Sequence, residues 1–230
     1  MAYYAVAKGH NIGIYNFWND CKEQILGYKG AVYKKFNNEK DAEEYILNIA
    51  SVTSDIFENL YSRFNIEEVD YFIYTDGSCY NNGDINAVSG IGIFFGINNK
   101  KNVSKVINSI DNNDTNNSAE LYAIIEAYKI VKEDLKNNIK ICIFTDSEYC
   151  IKCATSYGEK CNSNNWEKNI PNKELVKEIY NIYNNNQNLL LKHIRAHTNK
   201  KDKHSIGNSN ADKLAYNAIK NYKKDLTKKV

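Results

Sequence analysis

Two short apolar runs that each lead into a Thr-Asp pair constrain the fold of this chain more than any other feature. The first is YFIYTDGS at residues 71–78, and the second is KICIFTDS at residues 140–147. Both runs are short and rich in aromatic and β-branched residues, which favours buried β-strands over helices. We expect each strand to end at its aspartate, with Gly77 permitting a sharp turn behind Asp76.

Side by side in a sheet, these two strands bring Asp76 and Asp146 to the same edge. Like charges at close range raise each other's pKa unless a cation lies between them. The repeated pattern therefore indicates a divalent metal site at that edge.

Composition and the pattern of apolar residues disfavour secreted, membrane-spanning and disulfide-rich proteins. The 230 residues suffice for one medium domain and a small one, and a net charge of +2 means that any basic patch must be local. The N-terminus lacks the signal-peptide pattern and no apolar run approaches membrane-spanning length, so we expect a cytoplasmic protein that does not contact membranes. The six cysteines do not form a disulfide framework, and we expect reduced, mostly buried thiols rather than a zinc or redox site.

Residues 1–48 predict a compact unit with three strands, at 3–7, 12–15 and 31–36. Two aromatic residues accompany a lysine pair in this unit, namely Tyr4, Trp18, Lys34 and Lys35. Cations suit phosphates and flat apolar faces suit sugars, so together they favour binding to a nucleic-acid duplex. The alternative is that the aromatics are core residues and the lysines a solvated strand end. Residues 49–69 contain no Gly or Pro and predict a helical connector.

Residues 70–222 predict an antiparallel meander followed by alternating helices and strands, which is typical of an α/β fold with a mixed sheet, and residues 223–230 predict a basic tail. Four carboxylates stand out in this region: Asp76, Glu120, Asp146 and Asp212. We expect Glu120 and Asp212 in the first turns of helices that begin near residues 117 and 209. An acidic residue in a first turn also complements the helix dipole, which is the alternative interpretation of these two.

The motifs around these carboxylates carry a family resemblance. TDGS at 75–78, NSAEL at 117–121, TDS at 145–147 and GNSNADKLA at 207–215 resemble, in order and spacing, those of type 1 ribonucleases H. The first 45 or so residues, with WNDC at 18–21 and YKKF at 33–36, resemble the hybrid-binding (viroplasmin-like) domain found on many of these enzymes. The resemblance implies a ribonuclease H-like five-stranded mixed sheet flanked by helices, plus a small N-terminal α/β domain with a three-stranded antiparallel sheet.

The resemblance also implies a catalytic centre. Two Mg²⁺ ions about 4 Å apart, with Mn²⁺ as a possible substitute, are expected to clamp the scissile phosphate. Asp76 is implied to bridge both ions, Glu120 and Asp146 to complete one site, and Asp212 the other. His197 matches the mobile histidine of the family and is implied to assist proton transfer or product departure; the alternative is an exposed loop histidine.

Substrate contacts follow from the same resemblance. It implies nucleic-acid contacts in the catalytic domain at Cys79, Asn81, Asn82, Thr115, Asn116, Asn117, Tyr157 and Asn172. In the hybrid-binding domain it implies contacts at Tyr4, Trp18, Lys34 and Lys35. This sequence departs from the family where Asn113 and Tyr216 replace residues that are often basic, and where Cys161 replaces one of two channel aromatics.

The leading hypothesis is an endonuclease that cuts the RNA strand of RNA/DNA hybrids and leaves 5′-phosphate and 3′-hydroxyl ends. One alternative is a hybrid-binding protein that does not cut, and another is a related metal-dependent nuclease acting on DNA. Clustered carboxylates are of no use to a pure binder of a polyanion, and the N-terminal unit disfavours a DNA nuclease. We expect a monomer whose partner is the hybrid duplex, with self-association of the N-terminal unit as the alternative.

Overall fold

The computed structural model describes residues 2–42, 45–46, 63–107, 114–195 and 201–227. The chain divides into two compact units, residues 1–62 and 63–230. In the described ranges, no helix has the length and apolar character needed to cross a membrane. All six cysteines carry free thiols, and four are buried: Cys21, Cys142, Cys150 and Cys153. The predicted domain boundaries at residues 48 and 69 stay predictions, and residues 49–62 of the predicted connector lie outside the described ranges.

The N-terminal unit is a small antiparallel sheet with one helix. Its elements are β1 (Tyr3–Lys8), β2 (Gly13–Tyr15), α1 (Trp18–Ile25) and β3 (Val32–Phe36). The strand order β2-β1-β3 is antiparallel throughout, which confirms the predicted three-stranded sheet. The buried hydrophobic side chains among the described residues of this unit are small, namely Ala5, Val6, Cys21 and Ala42, and its larger aromatics lie nearer the surface.

The second unit is built on a five-stranded sheet. Its strands are β4 (Tyr71–Tyr80), β5 (Val88–Phe94), β6 (Val103–Ile107), β7 (Ile141–Thr145) and β8 (Leu189–His193). In the order β6-β5-β4-β7-β8, the first three strands are antiparallel, whereas β7 and β8 run parallel to β4. The predicted mixed sheet is confirmed.

Helices cover both faces of this sheet. They are α2 (Asn116–Lys136), α3 (Glu148–Ala154), α4 (Ser156–Ser163), α5 (Lys173–Asn185) and α6 (Lys203–Thr227). Ile73 and Ile143 join the core shared with α2 and α5, while the alternate residues Tyr74 and Phe144 join a second core with Ala211 of α6. This alternation is what period-two strands buried on both faces produce.

The last helix is longer than the sequence predicts. It begins at Lys203 rather than near residue 209, and it continues to Thr227, so residues 223–227 of the predicted tail are helical. Asp202 ends the preceding loop and accepts hydrogen bonds from the backbone amides of His204 and Ser205 at 3.0 Å each. A capping aspartate of this kind satisfies the free amides of a first helical turn. The helix therefore starts where Asp202 caps it.

Candidate active site

Gly77 is the residue that allows the active site to assemble. β4 does not end at Asp76 as predicted, because residues 77–80 continue to pair with β5, from Gly77 opposite Ile91 to Tyr80 opposite Val88. Gly77 makes no turn. A Cβ atom there would overlap the backbone of Glu120 on α2. The missing side chain thus lets α2 approach β4 closely enough for Glu120 to lie beside Asp76.

The helix starts place Glu120 and Asp212 differently from the prediction. Thr115 caps α2: its Oγ1 accepts from the Ser118 amide at 3.1 Å, and its own amide donates to Ser118 Oγ at 2.9 Å. Glu120 therefore lies in the second turn of α2, and Asp212 lies in the third turn of α6. The dipole effect fades beyond the first turn. Dipole complementation therefore does not explain either carboxylate.

Three of the four predicted carboxylates converge. β4 and β7 are parallel neighbours with Thr75 opposite Thr145, so Asp76 and Asp146 follow at the same level of the sheet. Oxygen atoms of Asp76, Glu120 and Asp146 all lie within 4.8 Å of one another. Asp76 and Glu120 are buried, whereas Asp146 is partly exposed. Three elements distant in sequence thus supply one acidic cluster.

The electrostatics of this acidic cluster are unfavourable without a cation. Burial, followed by the charges of Asp146 and Asp212, raises the pKa of Asp76 to about 7. Burial and the neighbouring aspartates also raise the pKa of Glu120 well above its ordinary value. Glu120 Oε2 is buried without a hydrogen-bond partner among the described residues. Hard carboxylate oxygens, one of them unpartnered, fit a divalent cation such as Mg²⁺ or Mn²⁺.

The structure describes Asp212 but not His197. Asp212 lies outside the acidic cluster of three, yet it is near enough for its charge to contribute to the raised pKa of Asp76. His197 lies outside the described residues, so its role stays a prediction.

Two residues without a predicted role hold Asp146. The ring nitrogen Nε2 of His193 lies 3.2 Å from the backbone oxygen of Asp146. Asn208 Nδ2 donates to the Asp146 carboxylate oxygen Oδ2 at 3.1 Å, and Asn208 is itself buried. Asn208 precedes Asp212 by four residues, which places the two on one face of α6. That spacing was the sequence signal available for Asn208.

Sequence comparison decides the family. The sequence model of the RNase H family matches residues 68–220, and that of the ribonuclease H1 N-terminal domain matches residues 2–46. The chain belongs to the ribonuclease H family. It is accordingly a divalent-metal-dependent nuclease that cuts the RNA strand of RNA/DNA hybrids, in agreement with the leading hypothesis.

Individual relatives agree with this membership. The chain is 29% identical to a ribonuclease H of Schizosaccharomyces pombe over 266 residues, covering 93% of this chain and 96% of that protein. It is 34% identical to a probable ribonuclease H of Acanthamoeba polyphaga mimivirus over 151 residues, covering 64% and 65%. Among solved structures, the native protease-reverse transcriptase of prototype foamy virus matches with a TM-score of 0.51 and 26% identity, over 66% of this chain and 21% of that chain.

The end of β4 and the loop that follows it are hydrogen-bonded to the start of α2. Asn116 Oδ1 accepts from the Cys79 amide at 2.8 Å, and the Asn116 amide donates to Asn82 Oδ1 at 2.9 Å. Asn81 adopts a left-handed conformation with φ of 54°. The structure therefore joins Cys79, Asn82 and Asn116 in one polar network beside the acidic cluster, and Asn117 follows it, exposed, on α2.

The other residues of the catalytic unit that are predicted to contact nucleic acid, Thr115, Asn172 and Tyr157, have different neighbours in the structure. Thr115 caps α2, so at least one function of its hydroxyl is structural. Asn172 precedes α5 with φ of 55°, and its Nδ2 lies 3.5 Å from the Tyr149 hydroxyl. Tyr157 lines a small cavity with Cys161, next to Trp166, which is buried in the core. Asn113 lies outside the described residues.

The N-terminal unit brings together three of its four predicted residues. Ring centroids of Tyr4 and Trp18 lie 5.5 Å apart, and Lys35 Nζ lies 5.8 Å from the Tyr4 ring. Tyr33, which had no predicted role, extends the cluster at 5.8 Å from Trp18. Lys34 faces the other side of the strand, over Phe36 and Tyr45, because neighbouring strand residues alternate.

Proposed function

We propose that Asp76, Glu120 and Asp146, together with Asp212, hold two Mg²⁺ ions and that hydrolysis leaves 5′-phosphate and 3′-hydroxyl ends. The convergence of three carboxylates from β4, α2 and the end of β7 carries this proposal. When bound, the ions supply an activated water and stabilise the leaving 3′ oxygen. The same acidic cluster disfavours a binder that does not cut, since uncompensated negative charge repels a nucleic acid.

The residues of the chain have distinct tasks in this scheme. Burial favours the protonated forms of Asp76 and Glu120. When cations bind, the two carboxyl groups would release their protons to solvent and hold the cations as carboxylates. Asn208 and His193 fix Asp146 through its carboxylate and its backbone oxygen. We propose that the polar network of Cys79, Asn82 and Asn116 senses the 2′-hydroxyl of the RNA strand, the group that distinguishes RNA from DNA. His197 is proposed to assist proton transfer or product departure.

The direct test is incubation of the purified protein with a labelled RNA/DNA hybrid, an RNA duplex and a DNA duplex, with and without Mg²⁺. We expect internal cuts in the RNA strand of the hybrid only, and only when metal is present. Metal-independent cutting, or equal cutting of the DNA duplex, would contradict the proposal.

In the absence of divalent metal, the free energy of unfolding should decrease as the pH rises. Between the ordinary pKa of a carboxyl and the value of about 7 for Asp76, the folded protein binds more protons than the unfolded chain. Its free energy of unfolding then decreases with rising pH, by up to about 1.4 kcal/mol per pH unit for each such proton. Urea unfolding in EDTA between pH 5 and pH 8 measures this slope.

Two comparisons accompany the unfolding series. Saturating Mg²⁺ should flatten the slope, because a cation favours the deprotonated carboxylates. Asp76→Asn should also flatten it in EDTA, because the variant lacks the titrating group. An equally steep slope in the wild type with metal and in the variant would assign the effect to other groups.

We also propose that the aromatic cluster of Tyr4, Trp18 and Tyr33, with Lys35, binds the hybrid duplex. Lys35→Gln should weaken hybrid binding at low salt and reduce the slope of log affinity against log salt by about 0.9, the value for one lost phosphate contact. Lys34→Gln is the matched control, since Lys34 lies on the opposite face, and it should change both quantities less. Fluorescence anisotropy in EDTA measures binding without cleavage, and equal effects of the two variants would contradict the assigned face.

A further inference from the structure

α6 follows β4 beyond the active site. The ring of Tyr74 packs against Gly207, and the backbone of Ala211 packs against Gly92, the residue paired with Asp76. One helical turn later, Ala215 lies against Gly90, the residue paired with Ser78. The helix therefore advances in step with the strand, from the level of Tyr74 past the catalytic carboxylates toward the end of the β4–β5 hairpin.

One row of side chains on α6 connects the active site to that hairpin. Asp212, Tyr216, Lys220 and Lys223 are spaced four, four and three residues apart, which places them on one helix face. The row starts at the carboxylate whose charge acts on Asp76. It ends where the Lys223 ammonium lies over the ring of Tyr80, the last residue of β4.

The residues of the row that follow Asp212 are one tyrosine and two lysines. Lys220 Nζ lies 5.8 Å from the ring of Tyr216, and the Tyr216 and Tyr80 side chains are 58% and 47% exposed. Neither Lys220 nor Lys223 forms a salt bridge with a described residue. Exposed tyrosines do not contribute to the core, so the packing of the fold does not explain this arrangement. Cations beside exposed aromatic rings are the combination that binds nucleic-acid backbones.

Other charged residues on this part of α6 leave the net charge of the helix end positive. Lys213 and Lys224 lie on the adjoining helix face, and Asp225 is the one acidic residue among residues 213–227. Four lysines against one aspartate leave a positive helix end directly beyond an acidic active site.

We propose that Tyr80, Tyr216, Lys220 and Lys223 form a strip that binds the backbone of the RNA/DNA hybrid on one side of the cleaved phosphate. This inference rests on the proposed function. Lys220 and Lys223 follow Asp212 by eight and eleven residues, or about 12 and 16 Å along the helix. At roughly 3.4 Å per nucleotide, the strip contacts the duplex about four or five base pairs from the cut.

The test is the double variant K220Q/K223Q in the full chain. Binding to a long hybrid is measured by fluorescence anisotropy in EDTA, and cleavage is measured with Mg²⁺. We expect Kd and KM at low salt to rise about tenfold with kcat unchanged, and the salt slope of log affinity to fall by about 2, since two phosphate contacts are lost. Thermal unfolding of the variant confirms that the fold is intact.

The matched control is K132Q/K136Q, which removes the same charge from the end of α2 farthest from Glu120. It should leave Kd, KM and the salt slope near the wild-type values. The inference is overturned if K220Q/K223Q binds like the wild type, or if both double variants weaken binding equally. A wild-type protein that cuts no hybrid with Mg²⁺ or Mn²⁺ would instead refute the proposed function, so the two failures are distinguishable.

Discussion

Asp146→Asn is expected to reduce Mg²⁺-dependent cleavage of an RNA/DNA hybrid by at least about a thousandfold, which corresponds to about 4 kcal/mol of transition-state stabilisation. The substitution keeps the shape of the side chain but removes one of the three carboxylates of the acidic cluster, Asp76, Glu120 and Asp146. A neutral amide is a much weaker ligand for a hard cation. Steady-state cleavage of a labelled hybrid gives the rate, and anisotropy in EDTA shows whether binding survives.

The control for this experiment is Asp134→Asn. Asp134 lies near the opposite end of α2 and accepts a hydrogen bond from the Tyr71 hydroxyl at 2.6 Å, so its loss affects stability rather than chemistry. We expect it to retain near wild-type kcat. If Asp146→Asn kept more than a tenth of the wild-type rate while still binding hybrid, Asp146 would not be a ligand of the reactive metal.

Gly77→Ala is expected to destabilise the catalytic unit by about 3 kcal/mol or more, at the upper end of what overpacking costs. The new methyl group would overlap the backbone of Glu120, and neither a central strand nor the start of a long helix can move without disturbing the core. Any relaxation separates Glu120 from Asp76, so the folded fraction should also lose cleavage. Urea unfolding gives the free energy, and cleavage per folded molecule gives the activity.

Gly13→Ala provides the comparison for Gly77→Ala. The three atoms nearest to a Cβ atom on Gly13 all belong to the Tyr15 side chain, the first at an ordinary 3.5 Å, so this variant should have a free energy of unfolding within about 1 kcal/mol of the wild type. A Gly77→Ala protein as stable and as active as Gly13→Ala would show that α2 does not approach β4 as closely as described.

The sequence sufficed to predict the sheet and the pairing of its two Thr-Asp strands. Parallel strands buried on both faces appear as continuous apolar runs, and 71–75 and 141–145 are such runs. The continuation of β4 to Tyr80 was not predictable from local pattern, because it depends on pairing with β5. The sequence pattern around Gly77 predicts a turn. In the structure, Gly77 instead lets the backbone of α2 lie against β4, and this contact is visible only once the helix is packed on the sheet.

Three of the predicted carboxylates converge in the structure, whereas the residues that hold Asp146 were not predicted. The four carboxylates follow from family motifs. Asn208 and His193 act on Asp146 through contacts across 62 and 47 residues, and the four-residue spacing of Asn208 and Asp212 was a sequence signal for the first of them alone. The sequence was enough to predict that Lys34 and Lys35 lie on opposite faces of β3, because neighbouring residues of a strand alternate between its faces. The sequence pattern predicts too late a start for α6, because Asp202 caps the helix ahead of the predicted start.

Anomalous diffraction from crystals of the full chain grown with Mn²⁺ and an RNA/DNA hybrid tests most directly whether the carboxylates share a pair of cations. We predict two anomalous peaks about 4 Å apart, with oxygen atoms of Asp76, Glu120 and Asp146 at ligand distance and Asp212 beside one peak. Anomalous peaks that lie elsewhere, with no ion within ligand distance of Asp76, would contradict the account.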